Sequence, residues 1–129
     1  MTEPSYLLDS NVCIYILGDA QSAPALRLGK CKPGEAAASA VTYAEVIRGI
    51  PLQDDAAAAA LDAFFRIVPV LPFDGPAARC YASIPFKRGT FDRLIAAHAL
   101  ARDMILVTAN LKDFSYVPEL KLEDWTMPG

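Results

Sequence analysis

The sequence predicts an α/β fold in three layers, α/β/α, with a central parallel sheet between helices. Three observations carry that reading. Short apolar runs of strand length alternate with longer amphipathic runs along the chain. The run Met-Ile-Leu-Val at 104–107 is apolar without interruption, as a strand covered on both faces requires. No repeat, linker or charge block divides the 129 residues, so one domain over 1–129 is expected. Right-handed crossovers then leave few topologies for the sheet.

Taken in order, Tyr6-Leu7-Leu8 reads as a strand ending at Asp9-Ser10-Asn11, and 12–17 continues as a helix closed near Gly18. A second helix runs from 23 to about 30, where Gly29 and the turn Lys32-Pro33-Gly34 stop it. A short strand over 36–40 leads into a helix opened by Thr42 and ended by Pro51. Asp54 or Asp55 caps the next helix, whose apolar positions Leu61, Phe64, Phe65 and Val68 bury one side, and Pro69 breaks it. Residues 70–73 form a strand, and Asp74-Gly75-Pro76 starts a helix that persists to about 83. A further helix spans 91–102, and the strand 104–107 follows.

Composition excludes several classes. Apolar residues make up 53% of the chain, yet no run approaches the roughly 20 apolar residues a membrane span needs. The first residues include acidic Glu3 and no basic segment, and Asp9 and Asn11 cut the apolar stretch behind them, so no signal peptide and a cytoplasmic address are expected. Cys13, Cys31 and Cys80 form an odd set without metal-ligand spacing and read as reduced packing residues. A net charge of −3 repels nucleic acid, so any phosphate contact must be local, through Arg27, Lys30 and Lys32 or Lys87 and Arg88, groups otherwise explained as solvated faces.

Four acids share one placement. Asp9 follows the first strand, Glu45 lies in the first turn of the helix after the second strand, Asp92 opens the helix before the last buried strand, and Asp113 lies just beyond it. In an open parallel sheet, strand C-termini and helix N-termini lie along one edge. Each acid also has a capping explanation: Asp9 and Ser10 are good caps, Thr42 to Glu45 fits a capping box, Thr90 caps ahead of Asp92, and Asn110 to Asp113 has similar spacing. Convergence of all four weakens that account. Carboxylates about 5 Å apart repel by roughly 3 kcal/mol at an effective dielectric of 20, and an oxygen-only set points to magnesium or manganese. His98, the sole histidine, reads as a packing or surface residue. The chain has no Gly-rich P-loop and no serine with a histidine base, which leaves metal-assisted displacement at phosphorus.

These segments, Leu7-Leu8-Asp9-Ser10-Asn11, Ser39 through Glu45, Gly89 through Ala101 and Leu106 through Phe114, together resemble the PIN-domain nucleases, and within them the VapC-type toxins of type II toxin–antitoxin systems. The resemblance implies a PIN-like fold and a magnesium- or manganese-dependent endoribonuclease. Asp9, Glu45, Asp92 and Asp113 would be its catalytic and metal-binding acids, supported by Asn11, Thr108 and Asn110. It also implies an RNA substrate, a homodimer, and a small antitoxin laying its C-terminal segment along the toxin and presenting an arginine to the acids. Val12, Tyr15 and Ile16 are candidates for that groove, with burial against the sheet the plainer role for at least two of them. Asp74 is an additional acid after a strand, expected to be a cap. Three other readings stand beside this one: a haloacid-dehalogenase-like phosphatase with Asp9 as nucleophile, a receiver-like module, and a non-catalytic PIN-like binding module.

Overall fold

Tyr6-Leu7-Leu8 forms the central strand because both its faces find apolar cover. Leu7 and Leu8 are fully buried and, with the two-residue period of a strand, belong to opposite core clusters. The computed structural model describes residues 4–51, 53–85 and 91–127; Lys87, Arg88 and the Thr90 cap lie outside the described residues. Along the chain run β1 (Tyr6–Leu8), α1 (Ser10–Gly18), α2 (Ala23–Leu28), β2 (Ala36–Ser39), α3 (Ala40–Arg48), α4 (Asp55–Ile67), β3 (Val70–Leu71), α5 (Gly75–Ala82), α6 (Asp92–Ala101), β4 (Ile105–Val107), a 3-10 turn (Leu111–Phe114) and β5 (Leu122–Glu123).

The strands pair in parallel in the order β3-β2-β1-β4-β5. One face carries Leu7, Ala37 and Leu106 against α6 and Phe114; the other carries Leu8, Ala36, Ala38 and Val107 against Val12, Val46, Leu61 and Phe64. Each large apolar side chain buried this way contributes roughly 1.5–3 kcal/mol relative to exposure. The expected α/β class, parallel sheet and helical layers are therefore present. Among the described residues no helix is long and apolar enough to cross a membrane.

Several local expectations are corrected. The helix after β2 opens at Ala40, not Thr42, because Ser39 closes the strand and caps the helix, its Oγ accepting from Val41 N at 3.1 Å. Thr42 is buried and donates instead to Leu8 O (3.3 Å), tying α3 to β1. The Thr42–Glu45 capping box is thus not formed, and Glu45 stands in the second turn of α3 rather than the first. The strand expected over 70–73 stops at Leu71, since Pro72 has no N–H for the ladder. Strand β5 was not expected, being two residues long; its pairing with β4 and a bond from Trp125 Nε1 to Glu123 Oε1 (2.9 Å) hold it.

Candidate active site

The sheet order reverses between β1 and β4, the place where open parallel sheets form crevices. Asp9 leaves β1 at that point, its N–H still bonded to Val107 O at 2.9 Å. It caps α1, with Oδ1 accepting from Ser10 N at 2.7 Å. Its other oxygen, Oδ2, accepts from Thr108 Oγ1 at 2.9 Å, while Thr108 Oγ1 accepts from Asn110 N at 3.1 Å. Asp9 is only 6% exposed and Thr108 is fully buried. Burial pushes the Asp9 carboxyl up from 3.8 to about 6; Thr108 and the Ser10 N–H pull it down, and the charges of Asp92 and Glu45 raise it further.

Those two acids come from the helices beside β1. Glu45, half-buried on α3, accepts a 2.6 Å bond at Oε1 from the Ser10 hydroxyl. Asp92 begins α6, also half-buried, with no side-chain cap ahead of it. Asp9, Glu45 and Asp92 therefore share one edge, and the charges of Glu45 and Asp92 are both felt at Asp9. Asp113 is exposed in the 3-10 turn with its N–H donating to Asn110 O (3.0 Å), and buried Phe114 anchors the turn beside it. Asn110 forms no side-chain cap, contrary to the capping expectation, and serves through its backbone N–H. Asn11 is exposed on α1.

Among the described residues no three His, Cys, Asp or Glu side chains stand close enough to hold a metal directly. Hydroxyl donors from Ser10 and Thr108 satisfy the carboxylates instead. The donor set is nonetheless oxygen-only, and its buried member is destabilised by two like charges. A hard divalent cation relieves that repulsion and, for magnesium, usually engages only one or two carboxylates and keeps several waters. The residues present fit such an ion on chemical grounds.

The other candidates have structural roles. His98 is buried, its Nδ1 paired with Ser39 Oγ at 2.8 Å and its ring edge against Phe73; burial holds its pKa down, opposed by Asp74. Asp74 caps α5, as expected. Arg27 bonds Tyr6 Oη at 3.2 Å and lies over the Trp125 ring at 4.8 Å, so it is largely committed to packing rather than to phosphate. The three cysteines are free, and Cys13 is buried. Sequence reasoning treated Ser10 as a cap; the signal for its wider role is a hydroxyl directly after the strand-ending acid.

A PIN-domain family model matches residues 6–120. The chain is 30% identical over 130 residues to the tRNA(fMet)-specific endonuclease VapC of Shigella flexneri, covering 94% of this chain and 98% of that one. Its fold superposes with a TM-score of 0.83 on VapBC2 from Rickettsia felis bound to a promoter DNA fragment, at 27% identity over 93% of this chain and 98% of that one. DNA-bound VapBC from Salmonella typhimurium gives the same TM-score, 0.83, at 28% identity over 95% and 98%. These matches favour neither the phosphatase nor the receiver reading. The chain belongs to the PIN-domain family, in its VapC group.

Proposed function

We propose that the chain is an endoribonuclease dependent on magnesium or manganese, and the toxin of a toxin–antitoxin pair, working in the cytoplasm. One observation carries the chemistry: a buried aspartate at the sheet's switch point, held by two donors and raised by two neighbouring acids. One or two of Asp9, Glu45 and Asp92 would bind the ion directly and the rest through its waters, with Asp113 at the rim. A bound ion supplies a water of lowered pKa, offsets charge on the phosphate oxygens and steadies the leaving oxygen. In the hydrolysis, water oxygen bonds to phosphorus, the bond from phosphorus to the leaving sugar oxygen breaks, and that oxygen takes a proton. Thr108 keeps the Asp9 carboxylate aimed by bonding one oxygen, and Asn110 N–H keeps Thr108 in place. The proposed partners are RNA, a second copy of this chain and a small antitoxin. A groove of about 630 Å³ beside Asn110, lined by Ile14, Tyr15, Asp19 and Pro24, suits the antitoxin segment. Tyr15 there is 47% exposed, whereas Val12 is fully buried and unavailable.

The test is cleavage of end-labelled RNAs, initiator tRNA included, by the purified chain with Mg2+, Mn2+ or EDTA. Internal cuts that need the ion, and that a cognate antitoxin suppresses, are expected. Cutting unaffected by EDTA would overturn the metal reading, and no cutting of any RNA would overturn the nuclease reading.

A further inference from the structure

We infer that Ser10 is a positioning residue that sets where Glu45 stands relative to Asp9, an inference resting on the metal-dependent reading of the same site. Ser10 is 7% exposed and bonds both carboxylates. Its backbone N–H donates to Asp9 Oδ1 at 2.7 Å, and its hydroxyl donates to Glu45 Oε1 at 2.6 Å across 35 residues of sequence. Only the second bond depends on the side chain. Glu45 has a long rotatable side chain, and its carboxylate and that of Asp9 are bonded to the same residue, Ser10. Repulsion favours swinging its carboxylate toward solvent, and the Ser10 hydroxyl opposes that swing with a charge-assisted bond. The acid pair is thereby set before any cation arrives, and the ordering of a long side chain is not left to binding. Thr108 does the same for Asp9 from the other side, at 2.9 Å. Ser10 is separable from the fold, because α1 is capped by the Asp9 side chain and the Ser10 N–H, both of which survive replacement of the hydroxyl.

The experiment is calorimetric titration of Mn2+ into the full-length chain without RNA, with metal-free thermal unfolding as the check on folding. Ser10→Ala is expected to weaken Mn2+ binding by about tenfold, the range seen when a group orienting a ligand is lost. Ser10→Thr, which keeps the hydroxyl, is expected to bind near the wild-type level. Ser10→Cys, with a weak donor of similar size, should fall between and provides the readout if the alanine variant does not fold. In a Glu45→Ala background, Ser10→Ala should cause no further loss. Wild-type affinity in Ser10→Ala, or an equal loss with and without Glu45, would overturn the inference while leaving the metal reading intact. A wild-type chain that binds no Mn2+ would overturn the metal reading, and this inference with it.

Discussion

Two aspartates follow strands and cap helices, and they end in opposite surroundings. Asp74 follows β3, an edge strand, and its Oδ1 accepts from Ala77 N at 3.1 Å while the side chain stays exposed. Asp9 follows β1, which has a neighbour on each side, and is 6% exposed with one oxygen on a helix N–H and the other on Thr108. Both are good caps. Capping accounts fully for Asp74, because water completes its solvation. It does not account for Asp9, where burial and the charges of Asp92 and Glu45 outweigh the donors. Nothing in the helix needs an acid at that cost when serine or asparagine would cap as well.

Replacement of each acid gives the largest contrast. Asp9→Asn is expected to lower metal-dependent RNA cleavage by more than about a hundredfold, since a cation's stabilisation of charge amounts to several kcal/mol. Asp74→Asn should stay within about twofold. Equal effects in a single-turnover cleavage assay would erase the distinction.

Next comes pH. The Asp9 carboxyl binds its proton more tightly folded, at about 6, than at its ordinary value of 3.8, so its charged form costs stability in the folded chain. That cost is fully present above about pH 6 and disappears as pH falls toward 4. Over this window it amounts to roughly 3 kcal/mol. The difference in unfolding free energy between metal-free wild type and Asp9→Asn, measured by denaturant titration, should therefore shrink on acidification. At pH 7 the variant should be more stable by about 1–2 kcal/mol, part of the gain being lost because an amide replaces one accepting oxygen. A difference independent of pH would mean that Asp9 titrates normally.

Thr108→Val removes the donor to Asp9 and the acceptor of Asn110 N–H, both in buried surroundings. It should destabilise the metal-free chain by about 1–3 kcal/mol near neutral pH, and less at pH 4, where Asp9 is protonated and needs the donor less. The smallest effect belongs to the exposed partner: Asp74→Ala should cost about 1 kcal/mol of stability, the usual value of a lost cap, with no change in cleavage. A thermal shift for Asp74→Ala as large as that for Thr108→Val would contradict the view that Asp74 is only a cap.

Glu45 and Asp92 were legible as site candidates because one lies early in the helix after β2 and the other opens α6, and helix N-termini share an edge with strand C-termini. The capping box around Glu45 was not real, since Ser39 caps first and Thr42 turns inward to Leu8 O. Local spacing cannot tell a hydroxyl that caps from one that crosses to another element. Arg27 was legible as a cation but not as one laid over Trp125, because Trp125 is brought there by β5, which is too short for periodicity to register.

By itself the sequence determined the α/β class, the alternation of elements and the placement of Asp9 at a strand end and of Glu45 and Asp92 early in helices, because hydrophobic periodicity and cap chemistry are local. Only the tertiary structure decided which hydroxyls hold these acids. Strand order puts β1 beside β4, so Thr108 reaches Asp9 across 99 residues, and α3 packs so that Ser10 reaches Glu45 across 35. Asp113, equally well placed by sequence, stays exposed in the 3-10 turn. Burial and proximity are properties of the packed sheet, and they, rather than residue identity, push the Asp9 carboxyl up to about 6.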